Sequence, residues 1–203
     1  ANSNSAARSY AKWLNLDLKQ ISVIHNGVNY DSLKPYSEDE KAAFRARLGI
    51  KEKAIVLTGA FRFTFEKRPF VFANLATEAL ERYQYLHLIV VGNGEHKKRF
   101  VEIFEEKKLS DRAIFITATQ ELHRLLQISD IFLSASRYEG MPNTVMEAIL
   151  NGCAVLATKA GGIEELLDYG AAGTIVPPDD KWHLRRELFK LIENNDLRKQ
   201  FSE

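Results

Sequence analysis

Two glutamates that bracket seven residues, Glu139 and Glu147, are the most specific chemical signal in the sequence. Between them, Gly140 permits backbone angles that other residues avoid, and Pro142 suits the first turn of a helix. Glu147 is the sole carboxylate in the otherwise apolar stretch 145–150, and an acid that faces a core is costly unless a partner satisfies it. The segment therefore predicts a turn and a helix start that carry two carboxylates.

The start of this helix offers backbone N–H groups that no helical carbonyl can accept. Those near Asn143, Thr144 and Val145 are natural phosphate donors, because the positive end of the helix dipole faces the same mouth. Two carboxylates would repel a phosphate, whereas they accept hydrogen bonds from hydroxyl groups. A ligand with hydroxyls on both sides of a phosphate is a nucleotide sugar, and the pattern predicts a site for one.

A second candidate is the basic loop 59–69, which follows one strand-like run and precedes a helical segment. Arg62, Lys67 and Arg68 cluster there, and Pro69 marks the helix start. Three positive side chains beside helix N–H groups suit an anion, and a diphosphate fits best. The alternative is that these side chains form surface salt bridges with Glu66.

Two glycine pairs mark further turns at strand ends. Gly92 and Gly94 follow a strand-like run as a dinucleotide fingerprint would, but Lys97 stands where its third glycine belongs, and the motif's acidic residue is missing. Either the turn needs glycine for its backbone angles, or the backbone approaches a ligand closely. The stretch 161–162 is likewise a close-approach loop or a simple turn.

The elements that must position these residues follow an alternating pattern. Apolar runs of strand length are nearly continuous, as in parallel strands buried on both faces, and they fall at 21–24, 54–58, 86–91, 113–116, 130–133, 154–157 and 173–176. Segments of helical period lie between them, at 69–82, 95–107, 120–128, 142–150, 163–167 and 181–194. This alternation predicts an α/β fold, a doubly wound, Rossmann-like parallel sheet whose ligand lies at the carboxyl ends of the strands.

Composition argues against several classes of function. Lys and Arg total 28 against 27 Asp and Glu, so the basic excess of a nucleic-acid binder is missing. Cys153 is the only cysteine, which excludes an internal disulfide, and its apolar surroundings indicate a core residue. The five histidines are scattered, so we expect no metal and no cofactor. No run approaches the ~20 apolar residues of a membrane span, and residues 1–8 do not form a signal peptide, so a cytoplasmic protein is expected.

Taken together, these segments resemble the retaining glycosyltransferase family 4. The resemblance extends over about 21–194 and is carried by Arg62 with Lys67, by 91–94, by 136–143 with Glu147, by 161–165 and by 176–179. Residues 26–29 look like the family's interdomain stretch, with Asn29 where aspartate is usual. The resemblance implies the C-terminal, donor-binding half of a GT-B fold, in which two Rossmann-like domains face a cleft.

The resemblance also implies a role for each matching residue. Arg62 and Lys67 would hold the donor diphosphate and offset charge on the leaving group, and Glu139 would face the sugar, so these three are the expected catalytic residues. The expected donor-binding residues are Gly92, Gly94, Ile116, Thr117, Gly140, Met141, Pro142, Asn143, Thr144, Val145 and Glu147.

Within that set, the backbone at 140–143 would face the sugar, and Thr144 and Val145 would offer N–H groups to phosphate. Glu147 would accept the ribose hydroxyls, and the loop 116–118 would lie against the base.

The function expected from the resemblance is hexosyl transfer, with retained configuration, from a nucleoside diphosphate sugar to a glycan or lipid-linked acceptor. Residues 1–203 would form a single donor-binding domain with 1–40 as a lead-in or interdomain segment. The acceptor would be bound by an N-terminal domain outside this chain, so the isolated chain should bind donor weakly and transfer nothing. Peripheral contact with the inner face of a membrane is a further expectation. The alternatives are a UDP-sugar epimerase of the same architecture and a non-catalytic nucleotide-binding or scaffold module.

Overall fold

A six-stranded parallel sheet forms the centre of the computed structural model, which describes residues 1–28, 34–117 and 119–202. Its strands are β1 (Ile55–Ala60), β2 (Leu86–Val91), β3 (Ala113–Ile116), β4 (Ile131–Ser134), β5 (Ala154–Thr158) and β6 (Thr174–Val176). They are arranged in the order β3-β2-β1-β4-β5-β6, and every neighbouring pair is parallel. The predicted fold class, a doubly wound α/β sheet, is confirmed.

Helices cover both faces of the sheet. They are α1 (Asn4–Leu14), α2 (Glu38–Arg47), α3 (Pro69–Arg82), α4 (Lys97–Glu106), α5 (Leu122–Gln127), α6 (Asn143–Leu150), α7 (Ile163–Leu166), α8 (Lys181–Glu193) and α9 (Asn195–Ser202). One core cluster joins α3, α4, α8 and α9 to the sheet, and another joins α2, α5, α6 and α7 to the opposite face. Adjacent strand residues go to opposite clusters, as Val56 and Leu57 do, which is why the strand sequences are continuously apolar.

The segment predicted as a strand at 21–24 is not a strand, and this prediction is wrong. Residues 22–28 have no regular structure, and Ile24 is 78% exposed. The N–H of Ile24 donates to the carbonyl of Ala1 over 2.8 Å instead of joining the sheet. An apolar run marks a strand of a parallel sheet only when both of its faces are covered, and this run lacks that cover.

The stretch 1–40, read from the sequence as a lead-in, contains helix α1 and the start of α2. Ser3 caps α1 by accepting a hydrogen bond from the Ala6 N–H, and Ser37 forms a reciprocal capping box with Glu40 at the start of α2. These capping residues were the available sequence signal for both helices. Asn29, matched to the interdomain stretch, lies outside the described residues.

His87 is a buried polar residue in β2, opposite Val56 of β1. Its side chain is 3% exposed, and Nε2 has no hydrogen-bond partner among the residues that the structure describes. Burial, with the positive charge of Arg112 as a second cause, lowers the pKa of His87 below its ordinary value of 6.5. The folded chain therefore binds a proton at His87 less readily than an unfolded chain does.

We predict that His87 makes the fold sensitive to mild acid. As the pH falls below 6.5, His87 is protonated more readily in the unfolded state than in the folded state. The free energy of unfolding therefore falls. The slope from this one proton is at most about 1.4 kcal/mol per pH unit. Urea unfolding at about pH 7.5 and about pH 5.5 should show a smaller loss of stability for His87→Leu than for wild type. His123→Leu, at a partly exposed position, should keep the wild-type loss, and an unchanged loss in His87→Leu would contradict the account.

Candidate functional site

The strand order reverses between β1 and β4, and this reversal creates a crevice at the carboxyl ends of the two strands. The loop after β1 carries the basic cluster, and the loop after β4 carries the segment with Glu139. A hydrogen bond of 2.7 Å from the Arg137 N–H to the Glu66 carbonyl joins the two loops. The sheet topology therefore brings together two motifs that are more than 70 residues apart in sequence.

A cavity of about 850 Å³ occupies this crevice. Seven of the predicted site residues line it: Arg62, Lys67, Glu139, Gly140, Pro142, Asn143 and Thr144. The rest of the wall comes from α1 and from neighbours of these seven residues in sequence, including Phe61 and Tyr138. Both charged loops and the start of α6 therefore face one space.

An ion pair between Lys67 and Glu139 crosses the crevice. Lys67 Nζ donates to Glu139 Oε1 over 2.7 Å and to Oε2 over 2.6 Å. The Glu139 side chain is 8% exposed and the Lys67 side chain 22%, so each charge depends on the other for compensation. This pair ties the loop after β1 to the loop after β4.

Arg62 differs from Lys67 in having no hydrogen-bonded or ion-paired side-chain partner among the described residues. Its side chain is exposed at the cavity and makes no hydrogen bond or ion pair with any residue in the described part of the chain. A guanidinium with five unused N–H donors next to a crevice is free to bind an anion. Arg62 forms no salt bridge with Glu66 in the described part of the chain, although the hydrogen bond from Thr64 Oγ1 over 2.7 Å and, to a smaller extent, the positive charge of Arg62 lower the pKa of Glu66.

The start of α6 supplies two free backbone donors. The N–H groups of Asn143 and Thr144 have no acceptor among the described residues, whereas the Val145 N–H donates to the Pro142 carbonyl over 3.2 Å. Val145 was expected to offer its N–H to phosphate; this donor takes part in the first turn of the helix, and its role toward a phosphate stays a prediction. The Val145 side chain is fully buried in the core.

Asn26 fixes the turn that precedes α6. Its side-chain amide donates to the Met141 carbonyl over 2.9 Å and to the Asn143 side chain over 2.8 Å. Met141 itself is buried and does not line the cavity. Asn26 therefore contributes to the site from the segment that resembles the interdomain stretch, although sequence reasoning gave it no role there.

Gly92 and Gly94 lie outside the cavity and pack against the loop after β1. A Cβ on Gly92 would come within 1.9 Å of the Phe61 carbonyl oxygen, and one on Gly94 within 2.8 Å of the Phe63 nitrogen. The Phe61 N–H donates to the Val91 carbonyl over 3.0 Å in the same contact. The close approach left open by the sequence is thus to the protein's own backbone, and these glycines position the loop that carries Arg62 and Lys67.

Gly161 plays the same part on the other side of the site. Its φ of +55° is in the left-handed region, and a Cβ there would lie 1.7 Å from the Glu139 carbonyl oxygen. The Gly162 N–H donates to the Gly140 carbonyl over 2.6 Å. Gly161 and Gly162 therefore pack against the backbone of the turn at 139–140 and hold it in place.

Glu147 does not line the cavity, and its carboxylate has no hydrogen bond or ion pair within the described ranges. Burial raises the pKa of Glu147 above its ordinary value. Ile116 and Thr117 also lie outside the cavity: the Ile116 carbonyl accepts from the Gly92 N–H over 2.8 Å, and Thr117 Oγ1 accepts from Lys97 Nζ over 2.7 Å. Ala118 lies outside the described residues.

Three other sequence expectations concern residues away from the cavity. Cys153 is buried, its thiol donates to the Leu126 carbonyl, and burial raises its pKa, so it is no nucleophile. Within the described residues, no group of three or more His, Cys, Asp or Glu side chains is placed to hold a metal ion. None of the helices in the described segments is both long enough and apolar enough to span a bilayer.

A family model described as glycosyl transferases group 1 matches residues 40–203. The chain belongs to this family. Its Vi polysaccharide biosynthesis relative VipC/TviE from Salmonella typhi is 31% identical over 177 residues, which cover 87% of this chain and 31% of the relative. These matches favour a transferase over the epimerase and scaffold alternatives.

Solved structures of similar fold include glycosyltransferases. Anabaena Alr3699/HepE in complex with UDP-glucose has a TM-score of 0.87 at 22% identity, and the match covers 100% of this chain and 56% of that one. The C-terminal domain of the group 1 family protein LpcC from Francisella tularensis has a TM-score of 0.75 at 25% identity, with 87% and 93% covered. The chain spans 31% of VipC/TviE and only about half the length of several other curated relatives.

We predict strong energetic coupling between Lys67 and Glu139. Lys67→Ala leaves a buried carboxylate without its partner and should lower the free energy of unfolding by about 1–3 kcal/mol. Once Glu139→Ala is present, the same change should cost little, giving a coupling of about 0.5–3 kcal/mol in a urea-denaturation double-mutant cycle.

The exposed pair Lys41 and Glu38, at 2.8 Å, is the matched control for this cycle. Its coupling should not exceed about 0.5 kcal/mol, because solvent screens an exposed pair. Additive effects at Lys67 and Glu139 would show that the ion pair does not hold the two loops together.

Proposed function

We propose that this group 1 chain is the donor-binding half of a retaining glycosyltransferase of family 4. The whole protein would transfer a hexosyl group from a nucleoside diphosphate sugar to a glycan or lipid-linked acceptor in polysaccharide or lipopolysaccharide synthesis. One observation carries this proposal: the Arg62 guanidinium faces the same cavity as the N–H groups of Asn143 and Thr144, and none of these donors has an acceptor among the described residues. These donors converge at the switch point of the sheet, where α/β proteins bind nucleotides.

The diphosphate of the donor fits the positive side of this cavity. Arg62 can bind phosphate oxygens in a bidentate manner, and the start of α6 adds N–H donors with the positive end of a helix dipole. Lys67 has three ammonium protons, and the two hydrogen bonds to Glu139 leave one for a phosphate oxygen. Lys67 can therefore bind the diphosphate while it remains paired with Glu139.

Glu139 is the group proposed to face the sugar. A carboxylate offers about four lone-pair positions, and Lys67 occupies only part of them. The rest can accept hydrogen bonds from sugar hydroxyls, with the backbone of Gly140 and Pro142 lining the same wall.

Glu147 is proposed to accept the ribose hydroxyls of the nucleotide. It lies one helical turn after Asn143 and therefore on the same face of α6. Its partly buried carboxylate lacks a partner in the described structure, and the raised pKa shows what this desolvation costs. Hydroxyl groups would satisfy it, and Ile116 and Thr117 are proposed to contact the base beyond the ribose.

The reaction proposed is a substitution at the anomeric carbon of the sugar. The bond from this carbon to the diphosphate oxygen breaks, a bond to the acceptor oxygen forms on the same face, and the acceptor proton passes to the leaving phosphate. Arg62, Lys67 and the N–H groups of α6 would stabilise the charge that develops on the departing diphosphate. The site is proposed to need no metal and no cofactor.

The relatives support the substrate class. HepE was crystallised with UDP-glucose, and VipC/TviE is named for polysaccharide biosynthesis. LpcC supports the proposed domain assignment, since the match covers 93% of a chain described as a C-terminal domain. The acceptor site and any peripheral membrane contact are proposed to lie in a region that corresponds to the additional length of VipC/TviE and HepE.

Arg62→Ala tests the diphosphate site with little effect on folding. Loss of a charge-assisted contact should weaken UDP or GDP binding about 10- to 100-fold in calorimetric titrations. Since Arg62 has no partner in the described structure, the free energy of unfolding should change by less than about 0.5 kcal/mol.

Lys53→Ala is the control, because it removes one positive charge from an exposed residue just before β1, at the end of the strand away from the cavity. It should leave nucleotide affinity unchanged. Equal affinities of Arg62→Ala and wild type, or no binding of either nucleotide to the wild-type chain, would refute the proposed function.

A further inference from the structure

Helix α1 is seated against the two glycine turns of the site. Its buried face consists of Ser3, Ala7 and Ala11, which are 0%, 1% and 8% exposed. A Cβ on Gly140 would lie 2.6 Å from the Asn2 side chain, and a Cβ on Gly162 would lie 2.8 Å from that of Ser3. The small residues on both sides allow the N-terminal segment to pack closely on the cavity rim.

Glu165, which lies in α7 and is 160 residues from Ser5 in sequence, binds the first turn of α1. Its carboxylate accepts from the Asn4 N–H over 2.9 Å, from the Asn4 side-chain amide over 2.8 Å and from the Ser5 N–H over 2.8 Å. Burial alone would raise the pKa of Glu165, but the hydrogen bonds from Asn4 and Ser5 outweigh it, so the pKa is lowered. His25 adds a contact, with Nε2 3.7 Å from this carboxylate. The helix start is thus fully used by a protein carboxylate and is not a site for an external anion.

Another face of α1 lines the cavity. Ser5, Ser9 and Tyr10 of α1 form part of its wall, together with Asn2 just before the helix and with Gly140 and Gly161. Ser5 and Ser9 are one turn apart and therefore share a face of the helix. These polar groups lie beside the turn at Glu139, which is the proposed position of the sugar.

We propose that α1 is the wall of the donor cavity that contacts the transferred sugar, and that Glu165 is the positioning residue that holds this wall in place. This inference rests on the proposed function, because it assumes a sugar nucleotide in the cavity. Amide and hydroxyl side chains of Asn2 and Ser5 can hydrogen-bond sugar hydroxyls. The nucleotide would be bound by Arg62 and α6, so its affinity would not depend on α1.

The experiment compares UDP with UDP-glucose, and GDP with GDP-mannose, by calorimetry on the wild-type chain and on Glu165→Ala. For a pair that binds, the quantity measured is the Kd of the free nucleotide divided by the Kd of the sugar nucleotide. Glu165→Ala should lower this ratio about 3- to 10-fold, as expected for one or two lost hydrogen bonds, and should leave the Kd of the free nucleotide within about 2-fold. Amide hydrogen exchange over 4–14 should become faster in this variant.

Three further variants separate positioning from general destabilisation. Glu164→Ala removes the same charge one residue away, where the carboxylate pairs with Lys159, and should change neither the ratio nor the exchange. Glu165→Gln keeps one acceptor oxygen and should restore part of the ratio. The double variant Asn2→Ala with Ser5→Ala keeps the helix in place but should lower the ratio as Glu165→Ala does.

The outcomes of the two proposals are distinguishable. If neither nucleotide binds the wild-type chain, the proposed function fails. If nucleotides bind but the ratio is unchanged in Glu165→Ala or in the double variant, the inference about α1 is wrong while the nucleotide site stands. If Glu165→Ala weakened the binding of free nucleotide and of sugar nucleotide equally, the inference about α1 would also be wrong. The helix would then stabilise the fold rather than contact the sugar. Unchanged amide hydrogen exchange over 4–14 in Glu165→Ala would show that Glu165 is not the positioning residue.

Discussion

The ion pair between Lys67 and Glu139 is the interaction on which the rest of the site depends. It joins the loops that follow β1 and β4, which diverge where the strand order of the sheet reverses. The glutamate is nearly buried, so its charge is stable there only with the lysine beside it. Each residue thereby fixes the other at the mouth of the cavity, and the proposed electrostatic stabilisation of a leaving group would require such preorganisation.

Backbone close approaches supply the second constraint. Gly92 and Gly94 let the loop carrying Arg62 rest on the end of β2, and Gly161 lets the turn at Glu139 rest on the loop after β5. Each of these close approaches is to a backbone atom of the protein itself. Such close backbone contacts fix where the charged side chains of the site stand, which is a reason for glycine beyond turn geometry.

Much of the fold could be predicted from sequence, because parallel strands buried on both faces leave continuous apolar runs such as 86–91. The apolar run at 21–24 was wrongly predicted to be a strand for the same reason. The sequence pattern does not reveal whether both faces of such a run are covered by other elements. The convergence of the Arg62 loop with the turn at Glu139 followed from strand-end position. The wall formed by α1 could not be predicted, because its link to Glu165 spans 160 residues and leaves no local pattern. The use of the Val145 N–H within the first turn of α6 is likewise a matter of helix geometry rather than residue type.

A crystal structure of this chain with bound UDP-glucose would show directly whether the loops joined by Lys67 and Glu139 bind the diphosphate of the donor. The account predicts diphosphate oxygens within hydrogen-bonding distance of the Arg62 guanidinium, the Lys67 ammonium and the Thr144 N–H, with Lys67 still bonded to Glu139. The glucose should lie against the turn at Gly140. A nucleotide bound away from the β1–β4 crevice, or bound there with its diphosphate turned away from Arg62 and Lys67, would contradict it.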